Sequence, residues 1–122
     1  MHDVARTILC VEDDEDARTL LEFLFTRNGY AVSSAANVAD ALVLLEEMGH
    51  FSLILADYNL PDGTGTDLFR AARRRGLVSR TVLYLITAQQ YPMRDPGVGL
   101  LHKPAAPAQL LEIAALAGIH GA

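Results

Sequence analysis

Five polar side chains stand where apolar runs stop. Glu12 and Asp13 follow ILCV, Asp57 follows LILA, Thr87 follows LYLI and Lys103 follows GLLH. Singly, each has a plain structural explanation: acids cap the helix that follows a strand, threonine suits strands and lysine suits loops. Together they offer three carboxylates, one hydroxyl and one ammonium, an excess of negative charge that a divalent cation would balance. Hard oxygen donors select Mg²⁺ over zinc. Zinc-ligand spacing is missing, because Cys10 is the only cysteine and His2, His50, His102 and His120 are scattered. A carboxylate beside such a cation can attack phosphorus to give an aspartyl phosphate. A neighbouring lysine and hydroxyl would neutralise, and hydrogen-bond to, the transferring phosphoryl oxygens.

These five residues share one site only if the apolar runs are neighbouring parallel strands. LILA at 53–56 is apolar on both alternating faces, as expected of a central strand covered by helices on both sides. Pro61, Gly63 and Gly65 break it soon after Asp57. In open α/β sheets ligands bind outside the carboxyl ends of the strands, where all five residues would lie on one rim. Strands are expected at 7–11, 30–35, 51–57, 81–86 and 100–103.

Helical spacing fills the gaps. Ala17, Leu20, Leu21 and Leu24 recur at i, i+3, i+4 and i+7 until Asn28 and Gly29 stop them. Asn37 is the expected N-cap of a helix carrying Val38, Ala41, Leu42 and Leu45, which ends near Gly49. A third helix is expected at 67–75, burying Leu68 and Ala72 and stopped by Gly76. Pro107 sits near the first turn of a last helix with Leu110, Ile113, Ala114 and Ala117 on one face. Residues 87–99 contain Pro92, Pro96, Gly97 and Gly99, which leave at most about two turns of helix, so that crossover is expected to be irregular. The alternation predicts a single α/β domain over 1–122, with a doubly wound five-stranded parallel sheet, right-handed crossovers and a short or irregular fourth helix.

Composition removes several alternatives. The chain is 51% hydrophobic and 20% charged, which suits a folded core rather than disorder. A formal net charge of −5 argues against general nucleic-acid binding, which needs a basic face. No stretch approaches the ~20 apolar residues of a membrane span, and MHDVARTILC has no signal-peptide run. A lone cysteine inside a strand suits a reducing compartment, so a cytoplasmic location is expected.

The acid pair in LCVEDD, Asp57 in LILADYNLPDGTG, Thr87-Ala88 in LITA and Lys103-Pro104 in LHKP appear in that order over nearly the whole chain. In these motifs the sequence resembles a response-regulator receiver domain of two-component signalling. The resemblance implies a flavodoxin-like sheet of order 2-1-3-4-5, with Asp57 as phosphoacceptor, Lys103 as the phosphate-contacting lysine and Thr87 as the responding hydroxyl. It implies Mg²⁺ held by Asp13, the Asp57 carboxylate and the backbone carbonyl of Asn59, with Glu12 acting mainly through water. It further implies a histidine kinase or histidine phosphotransfer protein as donor, catalysis of self-phosphorylation and autodephosphorylation only, and tuning of hydrolysis by Asn59 and Gln89. The first helix, with Phe23 and Phe25 beside its apolar face, is where such domains often meet the kinase.

Two positions depart from the family pattern. An aromatic residue usually stands three positions before the lysine, where this chain has Leu100, and Tyr84 and Tyr91 are the nearest replacements in sequence. The stretch from Thr87 to Lys103 is short, so the usual dimer is not implied and a monomer or weak dimer is expected. Phosphorylation is expected to draw Thr87 inward and to order the stretch 88–99. The leading function is a phosphorylatable signalling module without an attached output domain. The alternatives are a phosphorylation-independent interaction module and a haloacid-dehalogenase-type phosphatase, hinted at by Asp62-Gly63-Thr64 but lacking a second acid two residues after the nucleophile. Arg73, Arg74 and Arg75 are expected to form a solvated helix end, where cations complement the helix dipole.

Overall fold

A computed structural model describes residues 6–121. In chain order the elements are β1 (Thr7–Val11), α1 (Glu15–Arg27), β2 (Ala31–Ala35), α2 (Val38–Met48), β3 (Leu53–Asp57), β4 (Asn59–Leu60), β5 (Gly63–Thr64), α3 (Gly65–Arg74), β6 (Val82–Thr87), β7 (Val98–His102) and α4 (Pro107–Gly121). The main sheet runs β2-β1-β3-β6-β7, all neighbours parallel, which is the expected order once the β4–β5 hairpin is set aside. Strand order reverses between β1 and β3, so the crevice there opens at Glu12, Asp13 and Asp57.

Alternation along the central strands divides the core in two. Leu9, Val11, Ile54, Ala56, Leu83 and Leu85 pack toward α2 and α3. Ile8, Cys10, Leu53, Leu55 and Ile86 pack toward α1 and α4 with Phe25, Leu110 and Ala114. All five residues of β3 are buried, as a strand covered on both faces requires. Burial, with a smaller contribution from Glu22, pushes the Cys10 thiol up to about 12, which leaves it a packing group rather than a nucleophile.

The boundaries differ from expectation where local chemistry decided them. Helix α3 begins at Gly65, two residues early, because the Thr64 side chain accepts from the Asp67 N–H while Asp67 accepts from the Thr64 N–H. Strand β7 begins at Val98, since Val98 and Gly99 pair with Leu83 and Tyr84. A Cβ at Gly99 would stand 2.3 Å from the Tyr84 ring, so the glycine that looked like a breaker is the seat of that ring. The β4–β5 hairpin, closed by Pro61 and Asp62, was not expected.

Residues 88–97 contain no helix, as their prolines and glycines predict. They form a strap along α3. The Arg70 guanidinium grips Asp95 bidentately at 2.7 and 2.8 Å, and Arg73 donates to the Pro96 carbonyl at 3.2 Å. Thr66 donates to the Met93 carbonyl, and the Met93 N–H donates to the Tyr58 hydroxyl at 3.4 Å. Thr66, Arg70 and Arg73 lie on successive turns of one α3 face, which is how one strap reaches all three.

Candidate functional site

Parallel pairing brings three strand ends together and backbone bonds fix them. The Tyr58 N–H donates to the Ile86 carbonyl at 3.0 Å and the Lys103 N–H to the Thr87 carbonyl at 2.8 Å. Lys103 Nζ then lies 2.8 Å from Asp57 Oδ2 and 3.2 Å from Glu12 Oε1. The second oxygen of Asp57 accepts the Asn59 N–H at 3.1 Å, and the second oxygen of Glu12 accepts the Asp14 N–H. Asp57 is only 6% exposed and Glu12 3%, whereas Asp13 faces solvent. Glu12, Asp13 and Asp57 each present an oxygen within 4.8 Å of the others, a cluster of hard donors that fits a divalent oxophilic cation.

The electrostatics follow from that crowding. Burial raises the Glu12 pKa; the Asp14 N–H lowers it and the Asp57 charge raises it again. Burial alone would pull the Lys103 ammonium down, yet the Asp57 and Glu12 carboxylates outweigh it and hold its pKa above the usual lysine range. Lys103 is therefore a fixed positive charge beside Asp57.

Thr87 is buried at the end of β6, and its hydroxyl accepts the Gln89 N–H at 3.0 Å. The Gln89 side chain reaches Asn59 Oδ1 at 3.3 Å and joins the loops after β3 and β6. The five rim residues singled out in the sequence, Glu12, Asp13, Asp57, Thr87 and Lys103, thus stand at one end of the sheet, with Asn59, which the resemblance implied, bonded to Asp57 beside them. Arg18 was missed: it donates to the carbonyls of Glu12 at 2.9 Å and Asp13 at 3.5 Å and fixes the acid loop from the first turns of α1. The only trace of it in sequence is a basic residue one helical turn past Asp14.

Tyr84 packs with the α1–α4 core while Leu100 packs on the α2–α3 side, so Tyr84 does not take the place of the missing aromatic. Tyr91 is 87% exposed. Arg73, Arg74 and Arg75 are exposed at the end of α3, as expected, and Arg73 and Arg75 also bond the Pro96 carbonyl and the Glu46 carboxylate at the surface. His50 and His102 belong to no metal-binding cluster among the described residues; His2 and the side chain of His120 lie outside them. Beside Lys103 an apolar groove of about 750 Å³ runs between α1 and the start of α4, walled by Leu20, Phe23, Leu24, Pro104 and Leu110. Leu20 and Phe23 are 69% and 60% exposed there, whereas Phe25 is buried.

A doubly wound parallel sheet with an acidic trio at its switch point and a lysine reaching across from the edge strand defines the receiver class of α/β domains. The chain belongs to the response regulator receiver domain family, whose family model matches residues 8–115. It is 39% identical over 94 residues to the transcriptional regulatory protein AfsQ1 of Streptomyces coelicolor, covering 77% of this chain and 40% of that protein. It is 35% identical over 114 residues to the transcriptional regulatory protein GltR of Pseudomonas aeruginosa, covering 87% of this chain and 46% of that protein. The chain thus spans less than half the length of those two relatives. The crystal structure of the receiver domain from the hybrid histidine kinase CckA superposes with a TM-score of 0.80 at 29% identity, over 91% of this chain and 97% of that one. No helix among the described residues is long and apolar enough to cross a membrane.

Proposed function

We propose that this chain acts as a cytoplasmic phosphoacceptor, a single receiver domain that takes a phosphoryl group from a phosphohistidine onto Asp57 and later hydrolyses it. The observation that carries this reading is the ion pair of Lys103 with the nearly buried Asp57 at the carboxyl end of β3. A carboxylate oxygen of Asp57 attacks phosphorus, the N–P bond breaks and the imidazole nitrogen keeps the electron pair. Lys103 neutralises charge on the phosphoryl oxygens, and Thr87 turns its hydroxyl toward one of them. Asp13, Asp57 and the Asn59 carbonyl would hold Mg²⁺, with Glu12 acting mainly through water, and the ion when bound would supply positive charge to balance the carboxylates and the phosphoryl group. Asn59 and Gln89, whose side chains are hydrogen-bonded to each other beside Asp57, would tune the rate of that hydrolysis.

The donor is a histidine kinase or histidine phosphotransfer protein, and the groove between α1 and α4 suits an apolar helical face that brings its histidine to Asp57. The test is intact mass after incubation with acetyl phosphate or phosphoramidate and Mg²⁺. A labile adduct is expected on the wild type and not on Asp57→Ala. Failure to form it with any donor supports a phosphorylation-independent interaction module, and turnover of a small phosphoester would instead make the protein a phosphatase.

A further inference from the structure

The strap is tied to the site at one end and clamped along its length. At its start, Gln89 gives its N–H to the Thr87 hydroxyl and its side-chain amide to Asn59. Four residues later the clamp begins: Met93 is bonded to Thr66 and Tyr58, Asp95 to Arg70 and Pro96 to Arg73. So short a link between tether and clamp leaves little slack. A hydroxyl that turns toward a phosphoryl group on Asp57 carries Gln89 with it and pulls on the clamp.

We propose that the strap of residues 88–97 is the conformational reporter of this receiver, docked on α3 through the Arg70–Asp95 latch in the unmodified chain and released when Asp57 carries a phosphoryl group. This rests on Asp57 being the phosphoacceptor. Ordering of the strap on phosphorylation is replaced by the opposite change, because the clamp is already closed here. The chain lacks a ring at Leu100, and Tyr84 is held over Gly99 on the other face of the sheet. The strap supplies a different connection from Thr87 to the surface, through polar contacts to α3. The latch suits a switch because it is strong in geometry yet open to water. Its two partners favour their charged forms, with the Asp95 bond raising the Arg70 pKa and the Arg70 bond lowering that of Asp95. Both side chains remain partly exposed, so release leaves neither charge stranded in an apolar interior. Linkage then requires that a weaker latch favour the phosphorylated state.

The experiment uses beryllofluoride with Mg²⁺ as the phosphoryl probe, fluorine NMR to count the bound adduct, and amide hydrogen exchange to read residues 89–98. In the wild type those amides are expected to exchange faster once the adduct is present. Arg70→Ala and Asp95→Asn are each expected to speed exchange there without the probe and to tighten beryllofluoride binding by about fivefold, the low end of coupling between linked sites. The double variant should gain no more than either single one. A wild-type adduct with unchanged or slower strap exchange, or latch variants with unchanged affinity, overturns the strap as reporter and leaves Asp57 as phosphoacceptor. No adduct on the wild type at all overturns the phosphoacceptor reading, and the reporter with it.

Discussion

Gly65 shows how closely the site is built. A Cβ there would stand 2.5 Å from Leu85 Cδ2 and 2.8 Å from the Asp57 carbonyl oxygen, and the Gly65 N–H donates to the Tyr58 carbonyl at 2.9 Å. Gly65→Ala is expected to push the end of β3 away from α3. The cost should be about 1–3 kcal/mol of stability, the range for an overpacked interior, with slower adduct formation from acetyl phosphate. Denaturant melts and intact-mass kinetics measure the two effects; a wild-type labelling rate would show that the β3 end does not depend on this contact. Glu12, Asp13, Asp57, Thr87 and Lys103 were legible in the sequence because each interrupts an apolar run. Arg18 and the Gln89–Asn59 bond were not, because polar residues inside helices and loops look alike until the chain is folded.

At the scale of elements, α1, α2 and α4 announced themselves by periodicity and the central strands by unbroken apolar runs. The start of α3 did not. Gly65 and Thr66 are poor helix formers, and only the reciprocal bonds between Thr64 and Asp67 carry the helix back to them. Thr64→Ala removes half of that box and should cost about 1 kcal/mol by thermal or denaturant melting. A loss well below this would mean that the hairpin, whose Asp62 also accepts the Val38 and Ala39 N–H groups, sets α3 in place by itself. Two-residue strands such as β4 and β5 are too short for an alternating pattern, so that hairpin was invisible. The irregular crossover was visible as an absence of helix, but its seat on α3 rests on pairings such as Arg70 with Asp95, far apart in sequence.

For the molecule as a whole, the doubly wound rule was enough to order the sheet, because each helix has one apolar face and each connection one favoured hand. What the strap does to the chain is a matter of topology. It is the seam between everything through β6 and the small unit of β7 and α4, which carries Lys103. Cut at Arg94, the chain becomes two pieces that divide the site: Glu12, Asp13, Asp57 and Thr87 on the longer, Lys103 on the shorter. The pieces 1–94 and 95–122 are expected to co-elute through β6–β7 pairing and the α4 core, and acetyl phosphate should label the long piece only when the short one is present. Labelling of the long piece alone would remove Lys103 from the chemistry, and pieces that stay apart would show that the seam must be covalent. A receiver whose crossover is a strap rather than a helix is thus a natural candidate for complementation, with its acid and its lysine delivered on separate polypeptides.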